Sequence, residues 1–336
     1  MEKNEELYRI VDALMQEGKG LLAADESDGT AAKRLELAKL PNTQENRRAW
    51  REIMLTTPNL EEFISGVIFF DSTIRDTASL GMPFADLVAA RGIVPGIKVD
   101  KGLVLVENFG EETVTEGLDS LATRLREYHD LGARFAKWRA AFTVTPAPSD
   151  EVIMLNAMMM ARYAALCQAA GIVPIVEPEV LYDGEHTIEA AQEVTEKVLV
   201  WTCDVLERYH VDLKACILKT SMVLAGKKHE RSSPADVADA TVRTLHIAVP
   251  HTMGGIVFLS GGQEAKQATQ NMHAIAKLGT QPWRISTSYS RALEEPMLKV
   301  WAGKEENIED AQNVLAHRAH MNGLAQKGMY DESKDI

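Results

Sequence analysis

The chain has 336 residues, of which 46% are apolar and 25% charged. That composition supports a large buried core and excludes intrinsic disorder as the overall state. Lys and Arg number 36 against 49 Asp and Glu, a net charge of −13. This argues against a nucleic-acid binder, which needs a basic footprint, but leaves room for a phosphorylated substrate held by a local basic cluster.

The N-terminal residues Met1-Glu2-Lys3-Asn4-Glu5-Glu6 carry no apolar core, so no signal peptide is expected there. A helix is expected over 5–16. Eight short apolar runs then follow, at 21–24, 66–70, 94–99, 134–138, 172–176, 215–218, 255–259 and 283–286. Most are nearly continuous in Val, Ile, Leu and Phe, as suits parallel strands covered on both faces. Helical spacing fills the intervals, as in Leu118, Leu121, Leu125 and Tyr128, or Ile188, Ala191, Val194 and Val198. Asp150, Thr187 and Ser233-Pro234 stand where helices should begin. The apolar stretch 153–176 contains Asn156, Arg162 and Gln168. It reads as a buried helix, a turn and a strand, not as a membrane span.

Eight β-α units without a linker predict a single (β/α)8 barrel over 1–326. Two further helices are expected near 293–301 and 308–326, and then a loose polar tail over 327–336. Cys167, Cys203 and Cys216 are too few for a disulfide framework and read as reduced thiols of a cytosolic protein.

In such a barrel, chemistry sits at the C-terminal ends of the strands. Here seven of the eight ends carry charge, and the eighth runs into Ser260-Gly261-Gly262. Strand residues two apart point the same way, so Lys98 pairs with Asp100, Lys137 with Arg139, and Glu177 with Glu179. Lys219 follows the apolar run Ala215-Cys216-Ile217-Leu218. Desolvation and a neighbouring cation such as Lys137 would favour its neutral amine, a nucleophile toward a carbonyl; the plain alternative is a lysine snorkelling out of the barrel mouth. The apolar setting of Glu177 is expected to raise its pKa and suit it to proton transfer. Asp25 could take a hydroxyl proton, or merely cap the helix that follows. Ser260-Gly261-Gly262 and Ser288–Arg291 lie in the loops after strands seven and eight, where barrels commonly bind phosphate. A second basic set, Lys33, Arg34, Arg47, Lys98 and Arg139, could hold a phosphate at the far end of a longer substrate. The nine histidines are scattered, and no metal-binding or Walker A spacing occurs.

Several motifs together resemble class I fructose-bisphosphate aldolases: Leu22-Ala23-Ala24-Asp25-Glu26-Ser27, Gly96-Ile97-Lys98-Val99-Asp100-Lys101-Gly102, Phe135-Ala136-Lys137-Trp138-Arg139, Ile175-Val176-Glu177-Pro178-Glu179, Leu218-Lys219 and Phe258-Leu259-Ser260-Gly261-Gly262-Gln263. The resemblance spans about 5–330. It implies a cytosolic homotetramer that works without metal or cofactor on a sugar bisphosphate, with no nucleic-acid or membrane partner. It further implies that Lys219 forms a Schiff base, that Glu177 is the main acid/base with Lys137 in support, and that Asp25 handles the hydroxyl at the bond that breaks. Glu179 counts with this catalytic group. Ser260, Gly261, Gly262, Ser288, Ser290 and Arg291 resemble the ketone-side phosphate site, and the resemblance gives Arg34 further substrate contacts. Ser27, Thr30, Lys98, Arg47 and Arg139 are placed toward the other phosphate.

Four departures stand out against the animal enzymes. Thr220-Ser221 replaces Pro-Asn, Ser290 replaces a glycine, Asp28 stands in place of a threonine, and the C-terminal arm with its terminal tyrosine is missing. The alternatives are a Schiff-base aldolase for another ketose bisphosphate, such as a seven-carbon one, or an aldolase-like scaffold without activity.

Overall fold

The computed structural model describes residues 2–335. Eight parallel strands close into a barrel: β1 (Gly20–Ala24), β2 (Ile64–Phe69), β3 (Val94–Lys98), β6 (Phe135–Phe142), β7 (Val173–Val180), β8 (Ile217–Thr220), β9 (Gly255–Phe258) and β10 (Ile285–Tyr289). Around the barrel the order is β1-β10-β9-β8-β7-β6-β3-β2. The remaining two strands, β4 (Leu103–Leu105) and β5 (Thr113–Thr115), form an antiparallel hairpin between β3 and β6. Only three residues long and exposed along β4, this hairpin was not expected from the hydrophobic pattern.

Two apolar layers hold the barrel. The inner one fills the lumen with Leu21, Ala23, Ile68, Phe135, Val173, Ile175, Ile217 and Val257. The N-terminal helix Glu2–Leu14 closes the lower end of this layer with Leu7, Ile10, Val11 and Leu14. Gly96 belongs to the same space, since a Cβ there would stand 2.3 Å from the Phe135 ring. The outer layer packs the opposite strand faces, such as Leu22, Val67, Trp138, Val176 and Leu218, against the surrounding helices. Helix Asp150–Ala169 is the one described helix long and apolar enough to cross a membrane. It packs instead on β7 and on helix Ile188–Arg208, with the Tyr163 ring stacked on Trp138.

Several expectations need correction. The last barrel strand is Ile285–Tyr289 and not 283–286. Trp283 lies before it, with its Nε1 donating to the Pro250 carbonyl. Thr287 and Ser288 are polar yet buried in this strand, so a search for apolar runs stops short of it. β6 and β7 run eight residues each, which places Arg139, Glu177 and Glu179 within the strands and not beyond them. Lys219 likewise lies inside β8. The long helix begins after Ser149, whose side chain accepts from Val152 N, and not after Asp150. Thr187 and Ser233 cap their helices as anticipated, Ser233 in a capping box with Asp236.

The tail is not loose. Asp335 is buried and pairs with the buried Arg318 of helix Ile308–Gln326. Tyr330 Oη donates to Asp335 Oδ2 at 2.8 Å, and Lys266 Nζ to the Asp335 carbonyl at 2.6 Å.

Candidate active site

The alternation of strand side chains builds the site directly on the lumen core. Above Ala23 comes Asp25; above Phe135 come Lys137 and Arg139; above Ile175 come Glu177 and Glu179; above Ile217 comes Lys219. Ile175 of β7 is in register with Ile217 of β8, so two residues on, Glu177 and Lys219 stand side by side. The apolar stack thus changes to a charged layer at the C-terminal mouth. There the chain leaves a cleft of about 490 Å³.

Four charges form a buried chain at its floor. Asp25 Oδ2 is 2.7 Å from Lys137 Nζ, Lys137 Nζ is 3.2 Å from Glu177 Oε2, and Glu177 Oε1 is 3.1 Å from Lys219 Nζ. The Lys137–Glu177 contact is an ion pair without hydrogen-bond alignment, since Glu177 Oε2 has no hydrogen-bond partner. One carboxylate therefore serves two ammonium groups, one per oxygen.

Burial alone would raise both carboxyl pKa values, but the neighbouring cations outweigh it. Lys137 and Lys219 hold Asp25 down at about 2. Lys137, Lys219 and Arg139 hold Glu177 below the usual carboxylate range. The expected rise at Glu177 is thus reversed, because its surroundings are cationic and not simply apolar. Lys137 is desolvated too, yet Asp25 and Glu177 raise its pKa and keep it an ammonium. Asp25 is not a helix cap; that position falls to Ser27, whose side chain makes no capping bond.

Around this floor the cleft is lined by Ser27, Thr30, Arg34, Lys98, Arg139, Glu179, Ser260, Gly261, Ser288, Ser290 and Arg291. Lys98 Nζ pairs with Asp100 Oδ1 at 2.7 Å, and Arg139 with Glu179. Ser27 and Thr30 hydroxyls lie 3.3 Å apart. Arg34 pairs with Glu295 at the rim.

On the opposite wall, Ser260 to Gly262 precede helix Ala265–Lys277, and Ser288 to Ser290 precede helix Arg291–Trp301. Gly261 and Gly262 adopt φ of +57° and +98°, a region that disfavours side chains. The Ser288 hydroxyl is buried and has no hydrogen-bond partner. An unpartnered hydroxyl, two glycines and an arginine at a helix start give this wall the chemistry to receive an anion.

Three expected residues are not on the wall: Lys33, which is exposed on helix Asp28–Leu37, Gly262 and Arg47. Gly262 lies behind the wall, where its bare backbone lets the Arg291 guanidinium approach to 3.1 Å of where a Cβ would stand. Arg47 sits outside, donating to Asn42 and 3.8 Å from Asp28. The hairpin residue Leu103, the carboxylates Glu26 and Asp100, and Ala23, Gly102 and Leu259 complete the lining. Asp100 was visible in its spacing to Lys98; Leu103 had no signal, because its hairpin is too short. Among the described residues, no three or more His, Cys, Asp or Glu side chains gather into a cluster that could hold a metal ion.

Comparison with known proteins agrees with this geometry. Residues 6–336 match the family model "Fructose-bisphosphate aldolase class-I". The chain is 48% identical over 329 residues to a probable fructose-bisphosphate aldolase class 1 of Xanthomonas axonopodis pv. citri, covering 97% of this chain and 98% of that protein. It is 46% identical over 322 residues to the cytoplasmic isozyme of Cicer arietinum, covering 95% and 90%. A solved aldolase of Plasmodium falciparum, described as a complex with TRAP and a small-molecule inhibitor, superposes with a TM-score of 0.96 at 45% identity, over 98% of this chain and 96% of that one.

Proposed function

Because this chain belongs to the class-I fructose-bisphosphate aldolase family, we propose that it reversibly cleaves fructose 1,6-bisphosphate to dihydroxyacetone phosphate and glyceraldehyde 3-phosphate through a Schiff base on Lys219. The observation that carries this reading is the Glu177 carboxylate between the Lys219 and Lys137 ammonium groups, buried at the floor of the cleft.

Glu177 Oε1 takes a proton from Lys219, freeing the amine to add to the C2 carbonyl. The protonated Glu177 and the Lys137 ammonium supply protons as the carbinolamine loses water, leaving an iminium. Asp25 takes the proton of the C4 hydroxyl, and the C3–C4 bond breaks. The aldehyde departs, and the bonding electron pair enters the iminium to give an enamine. Protonation at C3 and hydrolysis release the ketose phosphate and restore Lys219. Every step runs on side chains, with no organic cofactor.

Ser260, Gly261, Ser288, Ser290 and Arg291 hold the ketone-side phosphate, with Arg34 beside them. Ser27, Thr30, Lys98 and Arg139 face the other phosphate. Glu179 orients Arg139. Arg47 and Gly262 act from behind the wall, Gly262 by making room for Arg291. The protein works in the cytoplasm as a homotetramer; the naming of relatives as cytoplasmic isozymes supports the compartment, and light scattering at a mass four times the 37.1 kDa chain tests the assembly.

The decisive test is borohydride trapping. The protein is incubated with dihydroxyacetone phosphate and EDTA, reduced, and mapped by peptide mass spectrometry. A stable adduct on Lys219 is expected. No adduct, or one on another lysine, overturns the assignment.

A further inference from the structure

One buried cluster behind the site takes no part in the scheme above. Glu26 after β1, Arg51 of helix Gln44–Leu55 and Glu294 of helix Arg291–Trp301 meet there, with exposures of 8%, 3% and 0%. Arg51 Nη2 donates to Glu26 Oε2 at 2.5 Å, and its Nη1 lies 3.7 Å from Glu294 Oε1. The guanidinium stacks 3.8 Å from the Trp50 ring. The nearby Arg34 is engaged by Glu295. Two buried carboxyls thus face one guanidinium, which is hydrogen bonded to Glu26 alone. Arg51 offsets only one of the two negative charges, so the buried group keeps a proton on its second carboxyl. Ser290 closes the group: its hydroxyl donates to Glu26 Oε1 and lies 3.3 Å from Glu294 Oε2. Ser290 also lines the cleft, next to Arg291.

We propose that Glu294 is a positioning residue: its protonated carboxyl donates to the Ser290 oxygen while the Ser290 hydroxyl donates to Glu26, and the two contacts set the Ser288–Arg291 segment for a substrate phosphate. This rests on the phosphate site proposed above. The electrostatics agree with the geometry. Burial and the Glu26 charge raise the Glu294 pKa well above the usual carboxylate range, against the pull of Arg51. Burial would raise Glu26 as well, but Arg51 and the bond from Ser290 hold it low. The two contacts act on binding and leave the chemistry at Lys219 alone.

The test compares the parent with E294Q, E294A and R291A at neutral pH, by KM and kcat for fructose 1,6-bisphosphate and by infrared difference spectroscopy. Glutamine keeps an amide donor toward the Ser290 oxygen. E294Q is therefore expected to keep the parental KM, while E294A raises KM about tenfold, the worth of a lost buried hydrogen bond, with little change in kcat. The difference spectrum of parent minus E294Q should contain the C=O stretch of a protonated carboxyl. A missing band, or an E294Q KM raised as far as that of E294A, overturns the proposal. If E294A does not fold, E294Q and its spectrum still decide. An unchanged KM in R291A would remove the phosphate site itself, which is distinguishable from a failure at Glu294 alone.

Discussion

Glu177 Oε1 lies 3.1 Å from Lys219 Nζ, and the two side chains are buried side by side at the top of adjacent strands. A lysine held this close to an ionised carboxylate has its proton acceptor in place before substrate arrives. The other Glu177 oxygen faces Lys137, so the same carboxylate can receive a proton from one lysine while the other remains a cation.

Glu177→Gln removes that acceptor and keeps the shape. The expected result is a fall in kcat of about 10²- to 10⁴-fold, the usual worth of a positioned acid/base. Borohydride should still trap the Lys219 adduct, but more slowly. Parental kcat in this variant would move the acid/base role elsewhere.

Asp25 links the site to acid stability. Its pKa is held at about 2, against an ordinary 3.8, although its side chain is only 12% exposed. A depressed folded-state pKa contributes stability that is present above 3.8 and lost as pH falls toward 2. Asp25→Asn should therefore be less stable than the parent by about 2 kcal/mol above that window, with the gap closing on the acid side. Urea midpoints measured as a function of pH check this, and a gap independent of pH would contradict it.

Gly96 and Phe135 share one space in the lumen. A Cβ at Gly96 would meet three ring atoms of Phe135 within 2.4 Å. Gly96→Ala is expected to cost about 3 kcal/mol by overpacking. Adding Phe135→Leu should return part of that loss. Thermal unfolding of the two single variants and the double variant measures the coupling.

The tail is held by a buried ion pair. Asp335→Ala strands Arg318, whose side chain is 3% exposed, and should destabilise the protein by about 3 kcal/mol. Limited proteolysis should then cut near Lys327. An unchanged melting temperature with no new cleavage would show that the docked tail adds nothing to the fold.

Much of the site was legible in the sequence because a charged residue directly after an apolar run is costly unless it faces a polar mouth. Lys219 after Cys216-Ile217-Leu218, and Glu177 after Ile175-Val176, stand out on that ground alone. β10 was misplaced because Thr287 and Ser288 are polar residues on a buried strand. The β4–β5 hairpin escaped because three-residue strands leave no period to read.

The sequence by itself determined the barrel, the face on which its charges emerge, and the identity of Lys219, Glu177, Lys137 and Asp25 as a group. Those follow from local pattern, since two-residue alternation decides which side chains enter the lumen. Only the tertiary structure decided who pairs with whom. Asp25 and Lys137 are 112 positions apart, and Glu26 and Glu294, which share Ser290 and Arg51, are 268 apart. Closure of the barrel and its register bring them together, and Coulomb interactions at those short distances then outweigh burial. That is why Glu177 is held ionised where its neighbours in sequence argued for the opposite.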